Sequence, residues 1–286
     1  MPKLNIQGLH DMKLKGETAV WVTAYDYPTA QCAEAAGVDM ILVGDSLGMC
    51  VYGYESTIPV SMEQCLMHCE AVRRAAPNTF LVGDMPFLSY QVSIPDAVLN
   101  SGRFFKTAAV DAIKLEGGRR VVPQVRAITD AGMVVFGHIG LTPQSSGQLG
   151  GFKAQGRTAG AAYALIEDAV ALEEAGILAL LVEAVPPEVC GQIRSTLSIP
   201  VYSIGAGADA DGQLMIGSDV LGVFQAFTPK FVKRFADISG TATGAFKAYG
   251  EEVRRGVFPT ADHAYTMVAG EEEKFLALLK REREGR

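Results

Sequence analysis

Two patterns alternate along the chain. Short apolar runs, rich in β-branched residues, occupy 19–24, 39–44, 79–83, 110–115, 133–137, 178–182, 200–204 and, most weakly, 220–224. Helical stretches rich in Ala, Glu, Leu and Arg lie between them, for example at 28–36, 61–75, 95–107 and 159–175. The runs are continuous rather than alternating, as in parallel strands buried on both faces. Eight strands alternating with helices predict a (β/α)8 TIM barrel. A doubly wound open sheet would place a glycine-rich phosphate turn after its first strand. Here that strand runs into Tyr25-Asp26-Tyr27-Pro28, which is no such turn.

No composition break divides the chain, so a single barrel domain is expected over 1–286. Its surplus length falls into two long connections, near 47–59 and 139–157, and a tail near 270–286 that reads as a charged amphipathic helix. The connection at 139–157 is full of Gly, Ser and Gln and is expected to cover the site.

Composition narrows the class. Of 286 residues 49% are apolar and 20% charged, the balance of a folded protein. A net charge of −7 argues against nucleic acid as a partner. The five cysteines are odd in number and scattered, which points to reduced thiols in the cytoplasm. The opening residues, Met1-Pro2-Lys3-Leu4-Asn5-Ile6, show no apolar leader pattern, and the longest apolar stretch, 177–182, is far too short to cross a membrane.

The candidate chemistry sits where strands end. The second run ends in Asp45-Ser46 and the third in Asp84. The fourth carries Lys114 and ends in Glu116, the fifth ends in His138, and the sixth in Glu183. Residues at the C-terminal ends of barrel strands converge on one mouth. Carboxylates gathered there repel one another, and a bound cation is the simplest compensation. Oxygen donors without a Cys or His cluster suit Mg²⁺ or Mn²⁺ better than Zn²⁺. Lys114 and His138 would meet a substrate carboxylate or a developing enolate oxygen, and Glu183 is a spare carboxylate for proton abstraction. The residues thus point to a divalent-metal enzyme acting on a small oxygen-rich anion through an enolate, and leave the substrate open.

At these same residues the chain resembles a known family. The blocks at 22–28, 42–49, 84–90, 114–118, 137–144, 150–157 and 204–207, with Val182-Glu183 and Val185-Pro186, resemble in order those of the ketopantoate hydroxymethyltransferase (3-methyl-2-oxobutanoate hydroxymethyltransferase) family. The resemblance spans about 4–266. It implies a barrel of the phosphoenolpyruvate mutase/isocitrate lyase type. It also implies transfer of a one-carbon unit from 5,10-methylenetetrahydrofolate to 3-methyl-2-oxobutanoate, giving 2-dehydropantoate for pantothenate and coenzyme A synthesis. By the same resemblance Asp45, Asp84 and Glu116 surround Mg²⁺, Asp45, Ser46, Asp84, Lys114 and His138 contact the oxo acid, and Glu183 is the general base. A homodecamer, a pentamer of dimers, is implied as well. Gly217-Ser218-Asp219 departs from a common His-Asp, and Ala184 from a usual Cys. These departures bear on the folate side or on subunit packing.

Two other functions fit parts of this reading: a Mg²⁺-dependent carbon–carbon lyase or aldolase acting on a related 2-oxo acid, and a catalytically silent metabolite-binding barrel. Cys65, His68 and Cys69 share a helical face but lack a fourth ligand, so they read as packing residues. Gly205-Ala206-Gly207 lacks the third glycine of a dinucleotide fingerprint and reads as a tight turn near the site.

Overall fold

The computed structural model describes residues 3–285. Met1 and Pro2 of the leader reading, and Arg286 at the end of the tail, lie outside the described residues. Eight parallel strands close into a barrel: β1 (Ala19–Thr23), β2 (Met40–Val43), β3 (Phe80–Asp84), β4 (Ala112–Glu116), β5 (Val135–Gly140), β6 (Ala179–Glu183), β7 (Val201–Ile204) and β8 (Gly212–Met215). Each strand pairs with the next, and β8 pairs with β1.

Helices form where the sequence placed them. Tyr27–Ala35 is capped by Asp26, whose carboxylate accepts from Thr29 N, and Pro28 sits in its first turn. Met62–Ala75 opens with a capping box: Gln64 N donates to Ser61 Oγ, and Ser61 N donates to Gln64 Oε1. Ile94–Ala108 and Ala159–Glu174 match the other two patterns.

The last strand differs from expectation. Residues 220–224 form no strand, because Gly217–Val220 is a short helix and Gly222 turns the chain with φ +66°. The eighth strand lies earlier, at Gly212–Met215, and its Gly-Gln start carries little strand signal. Gly212 is required there. A Cβ would stand 2.5 Å from Ala19 O and 2.9 Å from Tyr202 Cδ1, so only glycine lets β8 close the ring.

Both faces of the strands are buried, hence their continuous apolar pattern. Ile41, Leu81, Ile113, Val135, Leu180 and Val201 face the helices. The opposite set fills the barrel. In its middle, one layer comes from the odd strands: Trp21, Phe80, Phe136 and Tyr202. Trp21 meets Phe136 and Tyr202 edge-on, at 5.9 and 5.4 Å between centroids, and Phe80 stacks on Phe136 at 5.9 Å. This layer is the solid floor on which the polar mouth rests.

The described residues divide into two compact units, one ending at Ala236 and one beginning at Asp237. The first contains the barrel. The second is made of helices Ile238–Arg254 and Glu271–Glu284 with a short 3₁₀ turn between them. Neither of those helices buries a side chain. Among the described residues no helix is long and apolar enough to cross a membrane.

The aromatic layer makes a paired prediction. Tyr202 has a buried hydroxyl with no hydrogen-bond partner, so Tyr202→Phe should change stability by less than about 1 kcal/mol or raise it. Trp21→Ala should cost about 3–5 kcal/mol. Urea unfolding checks both, and a larger loss for Tyr202→Phe contradicts the packing account.

Candidate active site

Inward-facing positions turn from apolar to charged as each strand rises. In β3 the order is Phe80, Val82, Asp84; in β4 it is Ala112, Lys114, Glu116. In β5 Phe136 gives way to His138, and in β6 Ala179 and Leu181 give way to Glu183. The register sets these ends side by side: Asp84 opposite Lys114, Glu116 opposite His138, Gly140 opposite Glu183.

Lys114 is the centre. Its side chain is 3% exposed, and Nζ lies 2.9 Å from Asp84 Oδ1, 3.4 Å from Glu116 Oε1 and 3.2 Å from His138 Nδ1. Burial works against its charge, but Asp84, Glu116 and Asp45 outweigh burial and hold the ammonium protonated well above its usual range. Burial also works against the Glu116 carboxylate, yet Lys114 and His138 together keep its pKa below the ordinary value. His138 reaches outward, with Nε2 3.2 Å from Glu183 Oε2. Burial and Lys114 disfavour its charge, while Glu116 and Glu183 outweigh them and raise its pKa to about 8.

Asp45 follows β2, and its N–H donates to Asp84 Oδ2 at 2.9 Å. The Asp45 carboxyl is pushed well up, first by burial and then by the charges of Asp84 and Glu116. Asp84 is likewise raised by burial, against the pull of Lys114. Ser46 stands at the end of a hydroxyl chain. Its Oγ is 2.7 Å from Tyr25 OH, which accepts from Thr23 Oγ1 at 2.9 Å, and Thr23 Oγ1 in turn accepts from Gly217 N.

Two further residues bind the cluster together, and the sequence reading assigned them no role. Gln144 donates from Nε2 to Asp45 Oδ2 and Met85 O, both at 2.9 Å, and from its backbone to Glu116 Oε2 at 3.0 Å. Tyr90 OH accepts from Glu116 N at 3.0 Å and lies 2.8 Å from Gln144 Oε1. Both belong to the sequence blocks at 84–90 and 137–144, in the connections that follow β3 and β5, and membership of those blocks was the available signal. Gly140 serves Glu183. At φ +93°, a Cβ there would stand 2.2 Å from Glu183 O. Ala184, after Glu183, also holds a positive φ of 48°, the kind of strain found beside working residues.

All seven predicted site residues line one cavity of about 620 Å³. Among the described residues, no group of three or more Asp, Glu, His or Cys forms a ready-made metal cage. Glu116 is saturated by Lys114, His138 and Gln144. Asp84 Oδ1 is different: it is buried, and Lys114 approaches it outside hydrogen-bond geometry. That orphaned oxygen, beside the crowded Asp45 carboxyl, fits a Mg²⁺-type ion, which takes one or two carboxylates and completes its shell with water or substrate oxygens. The Cys65, His68 and Cys69 face is packing: both thiols are buried, and His68 bonds the Tyr25 carbonyl and Tyr52 OH.

Residues 3–261 match the model of the family described as ketopantoate hydroxymethyltransferase. The chain belongs to the ketopantoate hydroxymethyltransferase family. A 3-methyl-2-oxobutanoate hydroxymethyltransferase of Alkaliphilus metalliredigens is 62% identical over 271 residues, covering 95% of this chain and 96% of that one. Another from Moorella thermoacetica is 51% identical, covering 92% and 98%. In fold, the ketopantoate hydroxymethyltransferase barrel resembles a phosphonopyruvate hydrolase solved with oxalate and Mg²⁺ (TM-score 0.60, 16% identity, 100% and 99% covered). It also resembles 2,3-dimethylmalate lyase, a member of the PEP mutase/isocitrate lyase superfamily (TM-score 0.59, 16% identity, 98% and 100% covered).

The hydrogen bonds at Tyr90 give a stability prediction. Tyr90→Phe strands buried backbone groups of Glu116 and should cost about 1–3 kcal/mol in urea unfolding. An unchanged midpoint contradicts the bracing role.

Proposed function

We propose that this chain carries out the family reaction. It transfers a hydroxymethyl group from 5,10-methylenetetrahydrofolate to 3-methyl-2-oxobutanoate and forms 2-dehydropantoate for pantothenate and coenzyme A biosynthesis. The observation that carries the mechanism is the placement of Glu183 at the same mouth as the Lys114 cluster, within reach of His138 but apart from the other carboxylates.

Asp45 and Asp84 would hold Mg²⁺, with Glu116 behind them in contact with Lys114. When bound, the ion supplies Lewis-acid charge that acidifies the C3 hydrogen of a 2-oxo acid. Lys114, Ser46 and His138 bind and orient the oxo acid, Lys114 as a permanent cation and Ser46 through the hydroxyl held by Tyr25. Glu183, with its Oε2 3.2 Å from His138 Nε2, takes the C3 proton. The carbon nucleophile then attacks the methylene carbon carried by folate. A new C–C bond forms, both C–N bonds from that carbon to N5 and N10 break, water supplies the hydroxyl, and the C3 proton with the remaining water proton goes to the two nitrogens as tetrahydrofolate leaves. Phe152, Lys153 and Arg157 bring the 139–157 connection onto the cavity, where it limits access of bulk water.

The proposal includes a single working domain over 1–286, self-association as a homodecamer built from a pentamer of dimers, and a place in the cytoplasm. Exposed Phe246, Tyr249, Phe275 and Leu276 support self-association. Five free cysteines support a reducing compartment. Light scattering should give ten chains per particle, and a monodisperse monomer contradicts the assembly.

Glu183→Gln tests the base. Turnover should fall by about 10³-fold or more while the KM for 3-methyl-2-oxobutanoate moves by less than about threefold. Unchanged turnover removes Glu183 from the mechanism.

A further inference from the structure

The cavity is much larger than a five-carbon oxo acid needs, and one carboxylate in it has no part in the chemistry above. Asp219 follows β8 and is only 5% exposed, yet it lines the cavity. Its carboxylate accepts no hydrogen bond from any described residue, and burial raises its pKa against the pull of Arg234. Three of the other carboxylates have donors, Asp45 from Gln144, Asp84 from the Asp45 backbone and Glu116 from the Gln144 backbone, and Glu183 is the proposed base, beside His138. Its oxygens open onto the cavity without a protein donor, so Asp219 is free to meet a ligand that brings donors.

The oxo acid cannot be that ligand. At neutral pH 3-methyl-2-oxobutanoate offers only acceptor oxygens and a negative charge. The pterin of the folate offers what is needed: N3–H and the 2-amino group are adjacent, parallel donors that match the two oxygens of one carboxylate, as a guanidinium does. The segment that carries Asp219 also supplies flat apolar surface. Phe224 and Phe227 meet edge-on at 5.2 Å, and Phe231 lines the same wall. Lys153, Arg157 and Lys230 bring positive charge to the lining for the glutamyl carboxylates of folate.

We propose that Asp219 is the pterin-recognition residue, binding the N3–H and 2-amino edge of the folate within the aromatic wall of 224–231. The proposal rests on the hydroxymethyl-transfer reading. It also explains the division of the cavity: donors and cations around Lys114 read the oxo acid, and an isolated acceptor reads the folate.

Titration of the wild-type protein with tetrahydrofolate and with 2-desamino-2-methyltetrahydrofolate tests the contact without a variant. Tetrahydrofolate should bind about tenfold tighter or more. Asp219→Asn should raise the KM for methylenetetrahydrofolate by about tenfold and leave that for 3-methyl-2-oxobutanoate within about twofold. It should also shrink the preference between the two folates. Equal wild-type affinity for the two folates, or an unchanged folate KM in Asp219→Asn, overturns the proposal while the transfer reading stands. A wild-type protein that binds no tetrahydrofolate and turns over neither substrate overturns both.

Discussion

One buried cation organises the mouth of this barrel. Lys114 stands among Asp45, Asp84 and Glu116 at the top of a dry aromatic floor. A lone ammonium there would be expelled or neutralised, and three lone carboxylates would protonate. Together they stay charged in part: Glu116 is held below its ordinary pKa, whereas Asp45 and Asp84 are held above theirs. The network is therefore unevenly satisfied. Its deficit lies at Asp45 and Asp84, away from the carboxylate that Lys114, His138 and Gln144 already serve.

That asymmetry assigns the work. The carboxylates still short of positive charge are the ones able to accept a divalent ion, and the ion's charge would relieve the burden that burial places on them. Glu183, the proposed base, remains outside the network except for its contact with His138. The barrel supplies the rigidity. Positions two residues apart along β3, β4, β5 and β6 share one inward face, so a charge at a strand end inherits the precision of the apolar layer beneath it.

Much of this was legible in the chain. Buried parallel strands leave continuous apolar runs, and a charge directly after such a run marks the mouth; Asp45, Asp84, Lys114, Glu116, His138 and Glu183 were all read this way, and all six line one cavity. What escaped did so for physical reasons. β8 is four residues long and begins with Gly-Gln, because its room is limited by Ala19 and Tyr202 rather than by its own propensity. Gln144 and Tyr90 act through long-range hydrogen bonds, spanning 99 residues in the contact of Gln144 with Asp45. Asp219 falls in the 217–219 block, read only as a departure bearing on the folate side or on subunit packing. Its meaning lies in the absence of a donor around it, which only the folded arrangement reveals.

The central claim is that the mouth cluster, with a divalent ion at Asp45 and Asp84, makes the C3 hydrogen of 3-methyl-2-oxobutanoate labile before folate takes part. NMR in D₂O, with the wild-type protein, Mg²⁺ and no folate, measures this directly. The account predicts deuterium entry at C3 that stops when the metal is chelated. No enzyme-dependent exchange without folate, or exchange indifferent to chelation, would contradict it.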